Sequence, residues 1–528
     1  MRYKKITILC IVLMLVVSAL AACSTSDGGK DAESGQNKGS NQTGTAGDNL
    51  LSPMEISVAQ WGSDVWGQQS DDKWLDDLGK KFNVTFKPIA LTWADWQDKL
   101  KIWAASGNLP DMFVHDFNTF EWGGQGLVKP IDIAQLQKYP NVRRNISDSL
   151  LEALTVDGQI YSIPRSLWPD ASKALTLSGI YVQKSYLTKA GLSTPPETLD
   201  GWVDFLRKAV KDDYSGSGKT IGLGGIVDQI MINPFVPNYS SWIQEDGKWI
   251  PGYFSKHHIE ALKFGRQLYK EGLIDKDFSI RKGGDIDKLF QQGRVASYAN
   301  NTDPDMLSNQ VTSDMKGITT AADYITLALP PQAADSKRYF PATQNFSTYT
   351  GFSSKISDEK LERILQILDY VGSPEGRIYS VYGEEGKDFE KEGDTIVSLL
   401  PKNENGKQKM LQDVYPSSGF GRWFLSWDVE TAMTNVAHSP VIQQMSADFY
   451  DSVRSQTTIP DPDFQIQFMS TPAKDKLPDL NKAYTDMYTK VIMNDNDIEK
   501  AFEEWLDQQM KKASKAIEEV NARVAELK

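Results

Sequence analysis

Cysteine is nearly missing from this chain: Cys10 and Cys23 are its two, and none follows Cys23. That excludes disulfides, thiolate metal sites and a cysteine nucleophile from everything downstream. Histidine is scarce as well, and His115, His257, His258 and His438 have no ligand-like spacing. The adjacent pair would point apart on a helix. There is no G-x-S-x-G elbow, no H-E-x-x-H and no phosphate loop, so the familiar hydrolase, zinc and nucleotide signatures are lacking. Positive charge is in deficit, with a net charge of −13. Such a body suits neither nucleic acid nor an anionic bilayer, and does not favour a polyanionic ligand. Apart from the N-terminus the chain lacks a long apolar run, and no internal repeat is evident. What it has is aromatic surface, with 14 tryptophans among its 528 residues. That length can bury a large core and argues for at least two lobes.

The N-terminus reads Met1-Arg-Tyr-Lys-Lys5, then an apolar run from Ile6 to Val17, then Ser18-Ala-Leu-Ala-Ala-Cys23. A basic start, an apolar stretch and a small-residue exit describe a secretory signal over residues 1–22. The run falls short of the roughly 20 apolar residues of a membrane span. Leu20-Ala21-Ala22-Cys23 resembles the lipobox of bacterial lipoproteins, which implies that Cys23 is acylated and becomes the first residue. Several acyl chains hold stably where one holds weakly, so the expected location is the extracellular face of the cell membrane. The lipid anchor is then the chain's contact with the membrane. Cutting after residue 22 removes Arg2, Lys4 and Lys5 and takes the net charge to −16. Residues 23–53 follow as a flexible linker: Ser24 to Ser52 is rich in Gly, Ser, Asn, Thr and Asp and has no aromatic residue, a composition that cannot fold.

Order begins at Glu55-Ile-Ser-Val-Ala-Gln60-Trp61, whose alternation reads as a strand; a helix near Asp71–Phe82 and a strand at Val84–Leu91 follow. Trp96, Leu100 and Trp103 share a helical stripe that Gly107 and Pro110 stop. Met112–Val114, Ser178–Val182 and Val295–Ala299 read as strands, and Leu199–Lys211, Ile259–Gly272 and Asp497–Lys528 as helices. Ser357 caps a helix whose buried stripe is Leu361, Ile364, Leu365, Leu368 and Val371. Strands alternating with helices predict the α/β class with a largely parallel sheet.

Six segments carry a resemblance. They are Ala105-Ser-Gly-Asn-Leu-Pro110-Asp-Met-Phe113, Asp157-Gly-Gln-Ile-Tyr-Ser-Ile-Pro-Arg165, Leu187-Thr-Lys-Ala-Gly-Leu192 with Pro195-Pro-Glu-Thr-Leu199, Leu268-Tyr-Lys-Glu-Gly-Leu-Ile-Asp275, Tyr370-Val-Gly-Ser-Pro-Glu-Gly376 and Tyr382-Gly-Glu-Glu-Gly-Lys387. In this order they resemble the family-1 extracellular solute-binding proteins of carbohydrate ABC transporters, above all the large Gram-positive lipoprotein branch that is similar to the alginate-binding proteins. The resemblance implies a two-lobed periplasmic-binding-protein-like fold of type II, with a ligand cleft between lobes. It places residues 54–170 and about 335–400 in lobe 1, and about 171–334 and 401–528 in lobe 2. It also implies a carbohydrate ligand, ABC permease subunits as partners, no enzymatic activity and no nucleic acid. A monomer is expected. The alternatives are a lipid-anchored polysaccharide-degrading enzyme, which needs two carboxylates at a set separation, and a peptide-binding lipoprotein.

Relatives often carry a calcium loop, and here it is degenerate. Asp213 keeps a carboxylate, but the next two ligand positions are Ser215 and Ser217. Ca²⁺ wants six to eight oxygens and several charges, so the expectation is no calcium and no other cofactor. Sugars present apolar faces and rings of hydroxyls, which calls for flat aromatics and a few fixed polar groups. Ligands of open α/β sheets sit beyond the carboxyl ends of strands. Candidate contacts are therefore Trp61 (beside Gln60), Asp116 (beside His115) and Asn300 (beside Asn301), together with Arg165 and Trp168 near the first lobe crossing. Trp242 in a proline-bounded loop with Tyr239, and Trp423 and Trp427 flanking Arg422 and Asp428, complete the set.

Overall fold

The computed structural model describes residues 51–527 apart from 169–173, 282–283, 311–323, 343–344, 394, 405, 407, 427–428 and 461–462. The leader, the linker up to residue 50, Cys23 and Trp427 lie outside the described residues. In chain order the strands used below are β1 (Met54–Ala59), β2 (Val84–Pro88), β3 (Met112–His115), β4 (Ile163–Ser166), β5 (Ser178–Gln183), β6 (Ile221–Gly224), β7 (Trp242–Glu245), β8 (Lys248–Pro251), β9 (Val295–Asn301), β10 (Ile325–Ala328) and β11 (Phe346–Phe352).

Two sheets organise the chain. The first has the order β2-β1-β3-β11-β4 and the second β10-β5-β9-β6. In the first, β1 runs parallel to β2 and β3, while β11 returns antiparallel between β3 and β4. The carboxyl ends of β1, β2, β3 and β4 therefore share one edge. In the second, β6 and β9 are parallel and β5 is antiparallel to β9 and β10. Helices cover the faces because the strands are apolar on both sides: Ile56 and Val58 of β1 and Met112, Phe113 and Val114 of β3 are wholly buried.

The helices form where the sequence places their signals. Ser357 accepts a hydrogen bond from the Lys360 amide, and Asp358 and Glu359 occupy the positive first turn of the helix Asp358–Gly372. Its stripe Leu361, Ile364, Leu365, Leu368 and Val371 is buried in the first core. Gly107 ends the helix Trp96–Ser106 at φ 68°, a left-handed turn that costs glycine nothing.

Each sheet has its own core, built around Ile56, Phe113 and Leu365 in the first lobe and around Val182, Trp202 and Leu262 in the second. Leu411, Phe420, Phe424 and Leu425 pack into the first core. That corrects the expectation that everything after residue 401 joins lobe 2: helix Gly419–Phe424 presents three apolar residues to the first lobe. The lobes are joined where the chain leaves β4 and enters β11, beside Leu425 and Val429. Ser166 N donates to Leu425 O (3.3 Å) and Val429 N to Leu167 O (3.0 Å), so both residues are hydrogen-bonded to the first crossing. Asn345 ties the second crossing to the first by bracketing Trp168, accepting from its N–H and donating to its carbonyl at 3.0 Å each. Among the described residues no helix is long and apolar enough to cross a membrane.

Candidate ligand cleft

The carboxyl edge of the first sheet carries a cluster of aromatic rings, most of them packed edge to face. Trp61 follows β1, and its indole is met by Trp93 (5.1 Å, 90°), Trp96 (4.9 Å, 61°) and Trp423 (5.1 Å, 68°). The Arg165 guanidinium, at the end of β4, lies 5.3 Å from the Trp61 ring and 5.0 Å from the Trp423 ring. It donates to the Ser347 hydroxyl at the start of β11. Arg165 is buried, and desolvation together with the like charge of Arg422 opposes its protonated form; the two ring faces repay part of that cost. Trp61 is also buried. The ring of the group left open to solvent is Trp93, 67% exposed, against Trp61 and Trp96.

Trp93 was not among the sequence candidates. It sits just beyond the end of β2, and the strand-end rule that selected Trp61 and Asp116 reaches it once applied to that strand.

Asp116 follows β3 at the same edge. Its carboxylate is exposed, accepts from Gln97 Nε2 at 2.5 Å, and partial desolvation raises its pKa. His115 before it is buried and stacked parallel on Trp122 (5.5 Å, 2°), with its ring hydrogen-bonded to Ser162 (2.9 Å). Burial pushes its pKa down to about 3, so it is a neutral packing residue. Gln60 is turned inward and buried rather than facing the edge.

From Asp116 a cleft of about 360 Å³ opens between the lobes. Phe117, Phe346 and Tyr349 line it from the first lobe, and Trp242 and Lys474 from the second. A short strap, Phe464–Phe468, closes one end. Phe468 meets Phe346 of β11 at 5.8 Å, while Gln467 brackets Trp242 of β7, accepting from its N–H (3.1 Å) and donating to its carbonyl (3.0 Å). Lys474 fixes the strap by donating to the carbonyls of Ile466 (3.1 Å), Gln467 (2.7 Å) and Met469 (2.7 Å), and burial pushes its pKa down to about 8.

Beside the aromatic group the lobes meet through charge. Arg422, next to Trp423 in the first-lobe helix, pairs with Asp305 in the second-lobe helix Pro304–Gln310, and Asp305 also accepts from His438 Nε2 at 2.7 Å. His438 Nδ1 is bonded to Ser308 at 2.9 Å. Asp303 is fully buried next to this network; burial and the neighbouring Asp305 charge raise its pKa, outweighing Arg422 and His438. A carboxyl raised in the folded state holds its proton more tightly there than when unfolded, so its ionisation costs stability as pH rises. Asp303→Asn should therefore stabilise the protein by about 1–2 kcal/mol at pH 8, with the gain shrinking toward pH 4.5. Thermal unfolding at the two pH values checks this, and an equal shift at both would contradict it.

The remaining candidates divide. Trp168 does not reach the cleft: it is 2% exposed, its indole N–H donates to Leu175 O (2.9 Å), and it packs edge-on against Tyr450 (5.0 Å). That corrects its assignment as a ligand contact, since the crossing carries it into the core between lobes. Asn300 is the penultimate residue of β9 on the second lobe, where it donates to Asp287 (3.2 Å) and Tyr298 (3.3 Å). Tyr239 is held by Asp228 at 2.6 Å among buried aromatics. Trp427 lies outside the described residues. In the degenerate loop, Asp213 accepts from Ser215 (2.8 Å), Gly218 N (2.6 Å) and Thr220 (2.7 Å), and Ser215 and Ser217 bond each other (2.7 Å).

Comparison with known proteins agrees with this architecture. The lipoprotein LipO of Bacillus subtilis is 26% identical over 345 residues, which span 61% of this chain and 65% of LipO. The polygalacturonan/rhamnogalacturonan-binding protein YtcQ of the same organism is 23% identical over 398 residues, 72% of this chain and 75% of YtcQ. In structure, the FusA substrate-binding protein of S. pneumoniae in complex with kestose superposes with a TM-score of 0.66 at 17% identity, covering 90% of this chain and 99% of FusA. The alginate-binding protein AlgQ2 without calcium ion gives 0.63 at 17%, covering 89% and 97%. The family model described as bacterial extracellular solute-binding protein matches residues 73–378, more than half of the sequence. With two sheets, linked crossings and a cleft at the strand ends already in place, that match assigns the chain, which belongs to the bacterial extracellular solute-binding protein family.

Proposed function

We propose that the protein captures an oligosaccharide in the cleft between its lobes and presents it to the permease of an ABC importer. The observation that carries this is Trp93, a large apolar ring left two-thirds exposed on a buried aromatic stack at the strand-end edge, with the Asp116 carboxylate at the same edge. A flat ring fits the C–H face of a pyranose or furanose, and a carboxylate accepts two hydroxyls. The aromatic residues Phe117 and Trp242 extend the wall across both lobes, enough for more than one sugar ring. The relatives named for polygalacturonan and for fructo-oligosaccharide support a glycan. The family is one of binding proteins, so the polysaccharide-degrading enzyme gives way to a receptor. A ligand that touches both lobes binds the shut form better and so drives closure.

The leader and Cys23 support a protein tethered by lipid to the outer face of the cell membrane. Palmitate labelling that persists in Cys23→Ser would overturn the anchor.

Calcium has no place in this reading. Three donors already occupy the Asp213 carboxylate, and serine hydroxyls bond each other where further carboxylates would be needed. Millimolar calcium or a chelator should leave the unfolding temperature within about 1 °C, since a ligand that does not bind cannot stabilise.

The test of function is a thermal-shift screen of the purified protein against oligosaccharides and peptides. Bound ligand raises the unfolding temperature according to RT ln(1 + [L]/Kd). Stabilisation by sugars supports the reading, and stabilisation by peptides alone overturns it.

A further inference from the structure

Charge in and around the cleft is distributed unevenly between groups already engaged and one that is not. Lys474 has three N–H donors and spends them on three backbone carbonyls. Arg165 lies between two indoles with a hydroxyl on its fork. Arg422 is paired with Asp305. Lys101, at the rim, stands 5.3 Å over the Phe117 ring and lends its charge to Asp116. Asp475 accepts from Ser470 at 2.5 Å. Asp116 is different: Gln97 reaches one of its oxygens, no ion pair among the described residues closes it, and it is exposed at the edge where Trp93 stands.

We infer that the cleft selects uncharged oligosaccharides and rejects uronate-bearing ones, with Asp116 as the residue that sets the choice. The inference rests on the carbohydrate reading above and sharpens it, because relatives of this fold are named for both acidic and neutral glycans. A uronate needs a cation with donors to spare, and bidentate arginine is the usual provider. Here, among the described residues, Arg165 is buried between two indoles, Arg422 is paired with Asp305, the buried lysine is saturated, and the charge of the exposed rim lysine, Lys101, is offset by Asp116 itself. A neutral sugar gains where the uronate loses: its hydroxyl pairs supply the donors that an open carboxylate accepts. The net charge of −13 acts in the same direction at longer range.

Titration calorimetry decides it, using neutral fructo-, manno- and xylo-oligosaccharides beside oligogalacturonates of equal length. At least one neutral series should bind at least tenfold more tightly than the galacturonates, the size expected for one like charge close by. Asp116→Asn should close that gap by about tenfold by admitting the uronate. Raising salt should also narrow it, because screening weakens repulsion. Asp116 is exposed, so the variant should fold, and its unfolding temperature confirms that it has. Galacturonates binding as tightly as every neutral sugar, or an Asp116→Asn variant with an unchanged gap, would overturn the selection while leaving the carbohydrate reading intact. Failure of every sugar, with peptides binding, would overturn the carbohydrate reading as well.

Discussion

Trp93→Ala weakens oligosaccharide binding by roughly thirtyfold, about 2 kcal/mol, on the ordinary worth of an aromatic face buried against a sugar. The protein's own unfolding should scarcely change. Trp93 is 67% exposed, so truncation removes little that folding had buried and opens no cavity. Trp61 makes the contrast: it is 8% exposed beneath the other rings, and Trp61→Ala should lower both affinity and stability, by about 3–5 kcal/mol for the latter. Calorimetric titration with the best sugar from the screen, paired with denaturant unfolding, separates the two. A Trp93→Ala variant that binds normally would move the site away from the aromatic edge.

Asp305→Ala costs about 3 kcal/mol of stability, because it strands a partner. Arg422 loses its carboxylate while still packed against Trp423 at 5.5 Å, and His438, itself 3% exposed, loses an acceptor at 2.7 Å. The pair ties a first-lobe helix to a second-lobe one, so the loss should fall on the contact between lobes as well as on folding. Asp305→Asn keeps the shape and part of the hydrogen bonding and should recover about half of the loss. Denaturant unfolding of both variants reads this. A loss below about 1 kcal/mol for Asp305→Ala would place the pair with ordinary surface bridges.

Much of the fold was legible because local rules were enough. Glu55 to Val58 alternates, Gly107 follows an amphipathic stripe, and Ser357 precedes two acids; each is a short-range cause with a short-range effect. The strand-end rule likewise placed Trp61 and Asp116 at the carboxyl edge of the first sheet from their own neighbourhoods. What was not legible depends on distant partners. Trp168 reads as a free aromatic near a crossing until Tyr450 and Asn345 close over it, and nothing near residue 168 announces them. Phe420 and Phe424 look equally ready for either lobe; only the first sheet's uncovered face decides. Arg422 and Asp305 are more than a hundred residues apart, and neither lies in a motif that points to the other. Trp93 is a different case, because its signal is local: it lies just beyond the carboxyl end of β2. Asp213 shows the reverse: the loss of carboxylates at Ser215 and Ser217 was plain, and the hydrogen bonds among the three show how the loop holds itself.

The central claim is that two lobes close on a sugar, and small-angle scattering with and without ligand tests it most directly. At a saturating concentration of the tightest-binding oligosaccharide the radius of gyration should contract, and Trp93→Ala should need correspondingly more sugar to contract as far. Calorimetric saturation by the sugar with an unchanged radius of gyration would contradict the account.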